Sequence, residues 1–328
     1  MDEASAAGTA RDGRDHGGGV DAARARWGGT RTDWLDLSTG INPVPYPLPA
    51  LPQDAWTALP DRDAEARLVA AARRFWSVPA ALEILPTPGA SASIARMPAL
   101  LDASGPVHIP EPTYNEHAAA FRAAGRRVQA EPEARPVATV LVHPNNPDGR
   151  LWTEEALPED GLLVLDESFC DTTPADSLLR LAALRPRTLV LKSFGKFWGL
   201  AGLRLGFVIG PPELIAPLRE MIGPWAVSGP ALEIGAAALC DRDWAEATRT
   251  RLARDAARLD ALLAAAGVEK LGGTSLFRLF RAEDATALQE RLARSHIWTR
   301  RFPYSEHWLR LGLPGDAAGW RRLDAALT

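Results

Sequence analysis

The run Ser193-Phe194-Gly195-Lys196-Phe197-Trp198-Gly199-Leu200-Ala201-Gly202-Leu203-Arg204-Leu205-Gly206 sets a lysine three residues after a serine and eight before an arginine. Of the 37 Lys and Arg residues in the chain, only Lys192, Lys196 and Lys270 are lysines. Arginine would serve nearly any surface role here, so a lysine kept inside an apolar, glycine-rich turn points to amine chemistry. An amine with an accessible neutral form can make a Schiff base, whereas a guanidinium stays protonated. Ser193 and Arg204 would add a hydroxyl and a planar fork, a pairing that suits a phosphate. A strand-turn-strand with one solvated lysine would satisfy the same spacing.

Three further blocks carry groups of the same kind. Thr87-Pro88-Gly89-Ala90-Ser91-Ala92-Ser93-Ile94 reads as a glycine-rich turn opening a helix, whose free N–H groups suit a phosphate or serve simply as a cap. His143-Pro144-Asn145-Asn146-Pro147-Asp148-Gly149 follows the apolar strand Val140-Leu141-Val142, and its Asn-Pro and Asp-Gly steps mark a turn. In Leu162-Leu163-Val164-Leu165-Asp166-Glu167-Ser168-Phe169, four apolar residues run into two carboxylates, as in a buried parallel strand ending at a site. Tyr114, in Pro112-Thr113-Tyr114-Asn115-Glu116-His117, is an aromatic packed at a helix start or a ring beside a ligand.

In this chain order the blocks resemble the fold-type I, pyridoxal-phosphate-dependent aminotransferases, and the resemblance covers the chain from His16 onward. It implies pyridoxal 5'-phosphate as cofactor, with Lys196 as its Schiff-base lysine. Gly89, Ala90, Ser91, Ser193 and Arg204 would surround the cofactor phosphate. Asn146 would hydrogen-bond the phenolic oxygen, Asp166 would hold the pyridinium nitrogen protonated, and Tyr114 would stack on the ring. Three positions depart from the family pattern. Asp148 stands where threonine is usual, and Phe169 where many members have a tyrosine. Leu59 stands where many place a tyrosine that reaches the neighbouring subunit's cofactor phosphate.

The N-terminal His16-Gly17-Gly18-Gly19 and Trp34-Leu35-Asp36-Leu37-Ser38-Thr39-Gly40-Ile41-Asn42-Pro43 read, by residue type, as a flexible arm and a polar turn. They resemble the entry to threonine-phosphate decarboxylases of cobalamin biosynthesis. Histidinol-phosphate aminotransferases share the Asn-Pro but typically not the His-Gly-Gly. The resemblance implies that His16, Gly17 and Asn42 line the substrate's phosphate site. Arg310 alternates with Leu309 and Leu311, so it faces away from them, ordinarily toward solvent. The family uses this position to grip the substrate α-carboxylate. Arg300 matches an arginine that engages a substrate phosphate, with Arg301 beside it as the other candidate. The expected reaction is decarboxylation of L-threonine O-3-phosphate to (R)-1-amino-2-propanol O-2-phosphate. The alternative is an aminotransferase acting on histidinol phosphate or a related phosphorylated amine. A DNA-binding regulator built on the same fold would need a basic helix-turn-helix domain, for which the 15 residues before His16 leave no room.

The elements that must position these groups alternate. Helical patterns at 65–76 and 91–101 interleave with short apolar strands at 107–109, 128, 139–142, 162–165, 188–191 and 205–209, which predicts a mostly parallel sheet covered on both faces. A long helical region at 231–266, interrupted near 241–243, leads to a smaller pattern. It comprises strand 275–280, helix 284–294, strands 297–302 and 308–313, and helix 316–327. The expected class is α/β, with a seven-stranded large domain implied by the resemblance and a small C-terminal α/β domain. The expected divisions are an N-terminal arm at 1–45, a cofactor-binding domain at 46–228, and a linking helix with the small domain at 229–328. A net charge of −4 gives no reason to expect nucleic acid as a partner. Two cysteines, Cys170 and Cys240, make neither a disulfide framework nor a metal-ligand spacing, and fit a reducing cytoplasm. No apolar run approaches the roughly 20 residues of a membrane helix, no signal peptide is evident, and the polar first dozen residues read as unstructured. The family implies a homodimer.

Overall fold

A computed structural model describes residues 16–131 and 135–328; the expectation for the first dozen residues lies outside them. Strand β1 (Leu35–Asp36) comes first. The large sheet then takes β2 (Glu83–Thr87), β3 (Val107–His108), β4 (Val128–Gln129), β5 (Ala138–Val142), β6 (Leu162–Asp166), β7 (Thr188–Ser193) and β8 (Gly206–Gly210). After two long helices come β9 (Glu269–Thr274), β10 (Phe277–Arg281), β11 (Ile297–Trp298), β12 (Arg300–Phe302) and β13 (Ser305–Gly312).

The large sheet has the order β2-β8-β7-β6-β5-β3-β4, and only β8 runs against its neighbours. Every residue of β5, β6 and β8 is buried, as expected when helices cover both faces of a sheet. Alternation divides β6 between two cores. Leu163 and Leu165 pack on one face, Leu162 and Val164 on the other, and Asp166 leaves the strand's C-terminal end on the second face. Strand β2 was not expected from its sequence. It is an edge strand that contains Pro86, and an edge tolerates a residue without an N–H.

The helical pattern at 91–101 resolves into a short helix, Ala90–Ile94, and a 3-10 turn, Met97–Leu100, that contains Pro98. The long region at 231–266 divides as expected into Gly229–Cys240 and Arg242–Ala265, the second capped by the Asp241 carboxylate accepting from Trp244 N. The expected strand at 297–302 serves two sheets. β11 pairs in parallel with β1, while β12 opens the antiparallel sheet β12-β13-β10-β9.

Behind the lysine run stands an aromatic block. Trp198 is fully buried and stacks on Phe194 at 5.0 Å and on Trp244 at 5.3 Å between centroids. Truncating such a side chain to alanine costs about 3–5 kcal/mol, so the loop after β7 rests on a stiff support.

Candidate active site

The C-terminal ends of β5, β6 and β7 and the turn after β2 converge on one pocket. Its walls include Ala90, Ser91, Tyr114, Asn146, Asp166, Ser193, Lys196 and Arg204. These residues come from blocks that stand up to 114 positions apart, Ala90 to Arg204, and the sheet brings them together.

Lys196 lines this pocket. Burial, then the neighbouring Arg310, pushes its ammonium down to about 8; Asp166 opposes this, and Arg300 and Arg204 add to it. The amine therefore reaches its neutral, nucleophilic form near neutral pH. Its Nζ lies 5.4 Å from the ring centre of Phe169.

Asp166 is buried at the end of β6. Burial works against its charged form, but hydrogen bonds outweigh that and hold the carboxyl below the usual carboxylate range. His117 Nε2 donates to Oδ2 at 2.8 Å, and the Ser168 hydroxyl and N–H donate to Oδ1 at 2.5 and 3.0 Å. The sequence assigned His117 and Ser168 no role. His117 lies three residues after Tyr114, one turn along the helix Asn115–Ala123, a spacing that puts both over the same site. Tyr114 is at once the residue before that helix and a pocket wall, so both readings of it hold as positions. Burial pushes its phenol upward, with Glu116 and Asp166 adding to the effect.

At the other end of the pocket, Gly89 adopts φ 85°, and a Cβ there would stand 2.6 Å from Arg204 Nη2. Gly206 on β8 likewise lets Ala90 N approach to where a Cβ would stand, at 2.5 Å. Arg204 itself sits in the left-handed region at φ 53°, a strained backbone of the kind functional sites retain. Hydroxyls of Ser91 and Ser193, the Arg204 guanidinium and close backbone form a donor set suited to a phosphate. With an amine and a carboxylate fixed in its charged form in the same pocket, the cradle fits pyridoxal 5'-phosphate.

Asn146 Oδ1 accepts from Arg310 Nη1, so its Nδ2 is the part left to donate to an acceptor in the pocket. Asp148, at the position where the family favours threonine, ties the turn together. Its Oδ1 accepts from Asn145 Nδ2 at 2.8 Å and from Arg150 N at 3.1 Å. The turn docks on β9, where Gly273 N donates to Asp148 O at 2.7 Å. A Cβ on Gly149 would meet Gly273 O.

The small sheet carries Arg300 and Arg310 as direct partners across β12 and β13, both near enough to act on the charge of Lys196. Arg310 Nη2 donates to Ser38 O at 2.7 Å. Arg301 points the other way, with Nε on Gln289 Oε1 at 2.7 Å and Nη1 on Thr286 Oγ1 at 2.5 Å. Of the two arginines that the sequence left open, Arg300 is the one whose charge acts on Lys196. Gly17 packs against the back of Arg310, where a Cβ would lie 2.4 Å from Ser38 O and 3.3 Å from Arg310 Nη2. His16 reaches Glu116 Oε1 at 3.0 Å, with its ring 6.1 Å from Tyr114.

Asn42, expected as a substrate ligand, has its amide engaged by protein. It is 2% exposed, and its amide contacts protein on both sides. Nδ2 donates to Phe197 O at 2.9 Å, while Oδ1 accepts from Val44 N at 3.1 Å and Arg251 Nη2 at 2.7 Å. Phe169 is buried edge-to-face against Phe277 at 5.0 Å, and Leu59 lies on the surface.

Comparison with known proteins gives the same picture. Two curated relatives are threonine-phosphate decarboxylases. The one from Sinorhizobium sp. is 44% identical over 95% of this chain and 97% of its own length. The one from Pseudomonas aeruginosa is 42% identical over the same shares. In fold, the chain is similar to the histidinol-phosphate aminotransferase of Sinorhizobium meliloti, solved with pyridoxal-5'-phosphate, at a TM-score of 0.79 and 23% identity over 94% of each chain. It is also similar to the L-threonine-O-3-phosphate decarboxylase of Porphyromonas gingivalis, at 0.70 and 22% over 89% and 97% of the two chains. Residues 32–326 match the aminotransferase class I and II model, and the chain belongs to that family.

Proposed function

We propose that this protein is a pyridoxal-phosphate-dependent decarboxylase that converts L-threonine O-3-phosphate into (R)-1-amino-2-propanol O-2-phosphate and CO2, a step of cobalamin biosynthesis. The observation that carries the reading is the buried pair Arg300 and Arg310, set side by side and near enough to act on the charge of Lys196. Such a pair suits a substrate with two anionic ends. The names of relatives at 44% and 42% identity over nearly the whole chain support the same choice.

Pyridoxal 5'-phosphate, bound through Lys196, supplies an electron sink at the substrate Cα. The residues of the chain do the rest. Asp166, kept ionised by His117 and Ser168, would hold a proton on the cofactor's ring nitrogen. Arg310 would hold the α-carboxylate, and Arg300, with His16 and Gly17 at the same opening, the phosphate. Two anchors on opposite sides of Cα fix its rotation, and that rotation selects the bond that breaks. The Cα–carboxyl bond is lost, CO2 leaves, and one proton returns to Cα. Lys196 Nζ, titrating near 8, can hold and deliver that proton.

The reading includes a division into an N-terminal arm, a large cofactor-binding domain to residue 228 and a small domain beyond, and a two-fold homodimer in the cytoplasm. Exposed Leu48, Trp56 and Leu59, close together in the chain, support the dimer as a contact surface. Among the described residues, no helix is long and apolar enough to cross a membrane. Comparing turnover of threonine phosphate with that of plain threonine tests the substrate. The phosphate form should be preferred by at least about tenfold in kcat/KM, and equal handling of the two would refute the phosphate site.

A further inference from the structure

One short segment holds the lysine loop from behind. Asn42 N donates to Lys196 O at 3.0 Å and Tyr46 N to Trp198 O at 2.9 Å. Between them, Asn42 Nδ2 donates to Phe197 O at 2.9 Å. Three successive carbonyls of the loop thus bond to residues 42–46. A buried carbonyl without a donor is costly, so these bonds fix where the loop lies. Gly199, at φ 70°, allows the approach, since a Cβ there would lie 2.7 Å from Pro45 Cα and 2.8 Å from Asn42 O.

The Asn42 amide is itself oriented. Its Oδ1 faces two donors, Val44 N and Arg251 Nη2, which puts Nδ2 on Phe197 O. Arg251 belongs to the helix Arg242–Ala265 and is steadied by Asp255 at 3.5 Å, one turn on. The same helix packs against β9 and β10, and β10 pairs with β13, which carries Arg310. One helix therefore references both the Lys196 amine and the Arg310 guanidinium.

We propose that Asn42 and Arg251 are positioning residues for the reaction: Arg251 fixes the Asn42 amide, and Asn42 fixes the main chain that presents Lys196 to the pocket. Neither touches the substrate. The proposal deepens the reading above and rests on Lys196 being the cofactor-bearing amine.

The test uses the full-length protein freed of cofactor. Added pyridoxal 5'-phosphate is captured, trapped with borohydride at a series of pH values and mapped by peptide. Asn42→Asp keeps a partner for Arg251 but turns the donor to Phe197 O into an acceptor. Arg251→Met leaves all three carbonyl bonds possible but removes one of the two donors that orient the amide. Asn42→Asp should capture cofactor about tenfold more slowly and with a displaced pH midpoint. Arg251→Met should do the same to a smaller degree, and Arg251→Lys should restore most of the wild-type rate. If Asn42→Asp does not fold, the Arg251 pair decides alone. Wild-type rate and midpoint in Arg251→Met would overturn the proposal. So would unchanged capture in Asn42→Asp combined with a raised KM for threonine phosphate, which would return Asn42 to the substrate site. If the wild-type label falls on a residue other than Lys196, the underlying reading fails, and the proposal with it.

Discussion

Arg300 and Arg310 stand directly opposite one another on adjacent antiparallel strands, both buried and both near enough to act on the charge of Lys196. Two like charges in register repel, so anions placed before them relieve a cost already present in the fold. On the proposed function, the pair matches a substrate with two anionic ends.

Removing either arginine should therefore have separable effects. Arg300→Ala should weaken threonine phosphate about ten- to a hundredfold, the size of a lost charge-assisted bidentate contact, and should reduce the preference for threonine phosphate over threonine. Arg310→Ala should impair both compounds alike, because both carry the α-carboxylate. Steady-state KM values for the six combinations of wild type and the two variants with the two substrates would expose a reversed pattern.

Lys196 should be the residue that borohydride fixes to the cofactor. Because its pKa is depressed from 10.5 to about 8, the neutral amine grows as pH rises through 8. Capture by the cofactor-free protein should rise with it and level off above, while a surface lysine would keep rising toward 10.5. Lys196→Ala should abolish turnover. Label on Lys192 or Lys270 instead would contradict the assignment.

Asp166→Asn should leave the fold largely intact and cut turnover strongly, since a neutral amide cannot hold a ring-nitrogen proton. The depressed carboxyl of Asp166 also contributes stability that is present above the unfolded carboxylate pKa and fades as pH falls into the acid range. The variant should therefore lose part of the acid dependence seen in thermal melts. Near wild-type turnover would make the carboxylate purely structural.

Gly40→Ala should destabilise the protein by about 1–3 kcal/mol, an overpacking cost, because its Cβ would lie 2.7 Å from Phe277 Cδ1 and 3.0 Å from Phe169 Cε1. Denaturant unfolding would measure this. In the same wall, Phe169→Tyr adds the hydroxyl that many relatives carry. It should lower the pKa at which the bound cofactor's visible absorbance changes, without opening a new reaction; an unchanged titration would place the hydroxyl out of reach.

That Lys196, Asp166, Asn146 and Arg204 line one pocket was legible because they sit in short blocks that stand in the chain order of a known family. The parallel sheet was legible from apolar runs such as Leu162 to Leu165. What escaped was tertiary. Strand β9 contains Gly272 and Gly273, which weaken any strand signal, and their use as a docking floor for Gly149 shows only in space. His117 looks like any histidine near a helix start until Asp166 comes to meet it. Arg300 and Arg301 are adjacent, and only the register of β12 says which of them lies toward Lys196. The contacts of Asn42 escaped because its partner Arg251 lies 209 positions away, beyond the reach of local pattern.

Product analysis distinguishes decarboxylation of a phosphorylated amino acid from transamination. Purified protein loaded with pyridoxal 5'-phosphate is given threonine phosphate, with an amino acceptor present, and CO2 is measured against keto product. A decarboxylase yields one CO2 and one aminopropanol phosphate for each substrate consumed, with no requirement for the acceptor. Keto product that depends on the acceptor, or faster transamination of histidinol phosphate than CO2 release from threonine phosphate, would contradict the proposed decarboxylation.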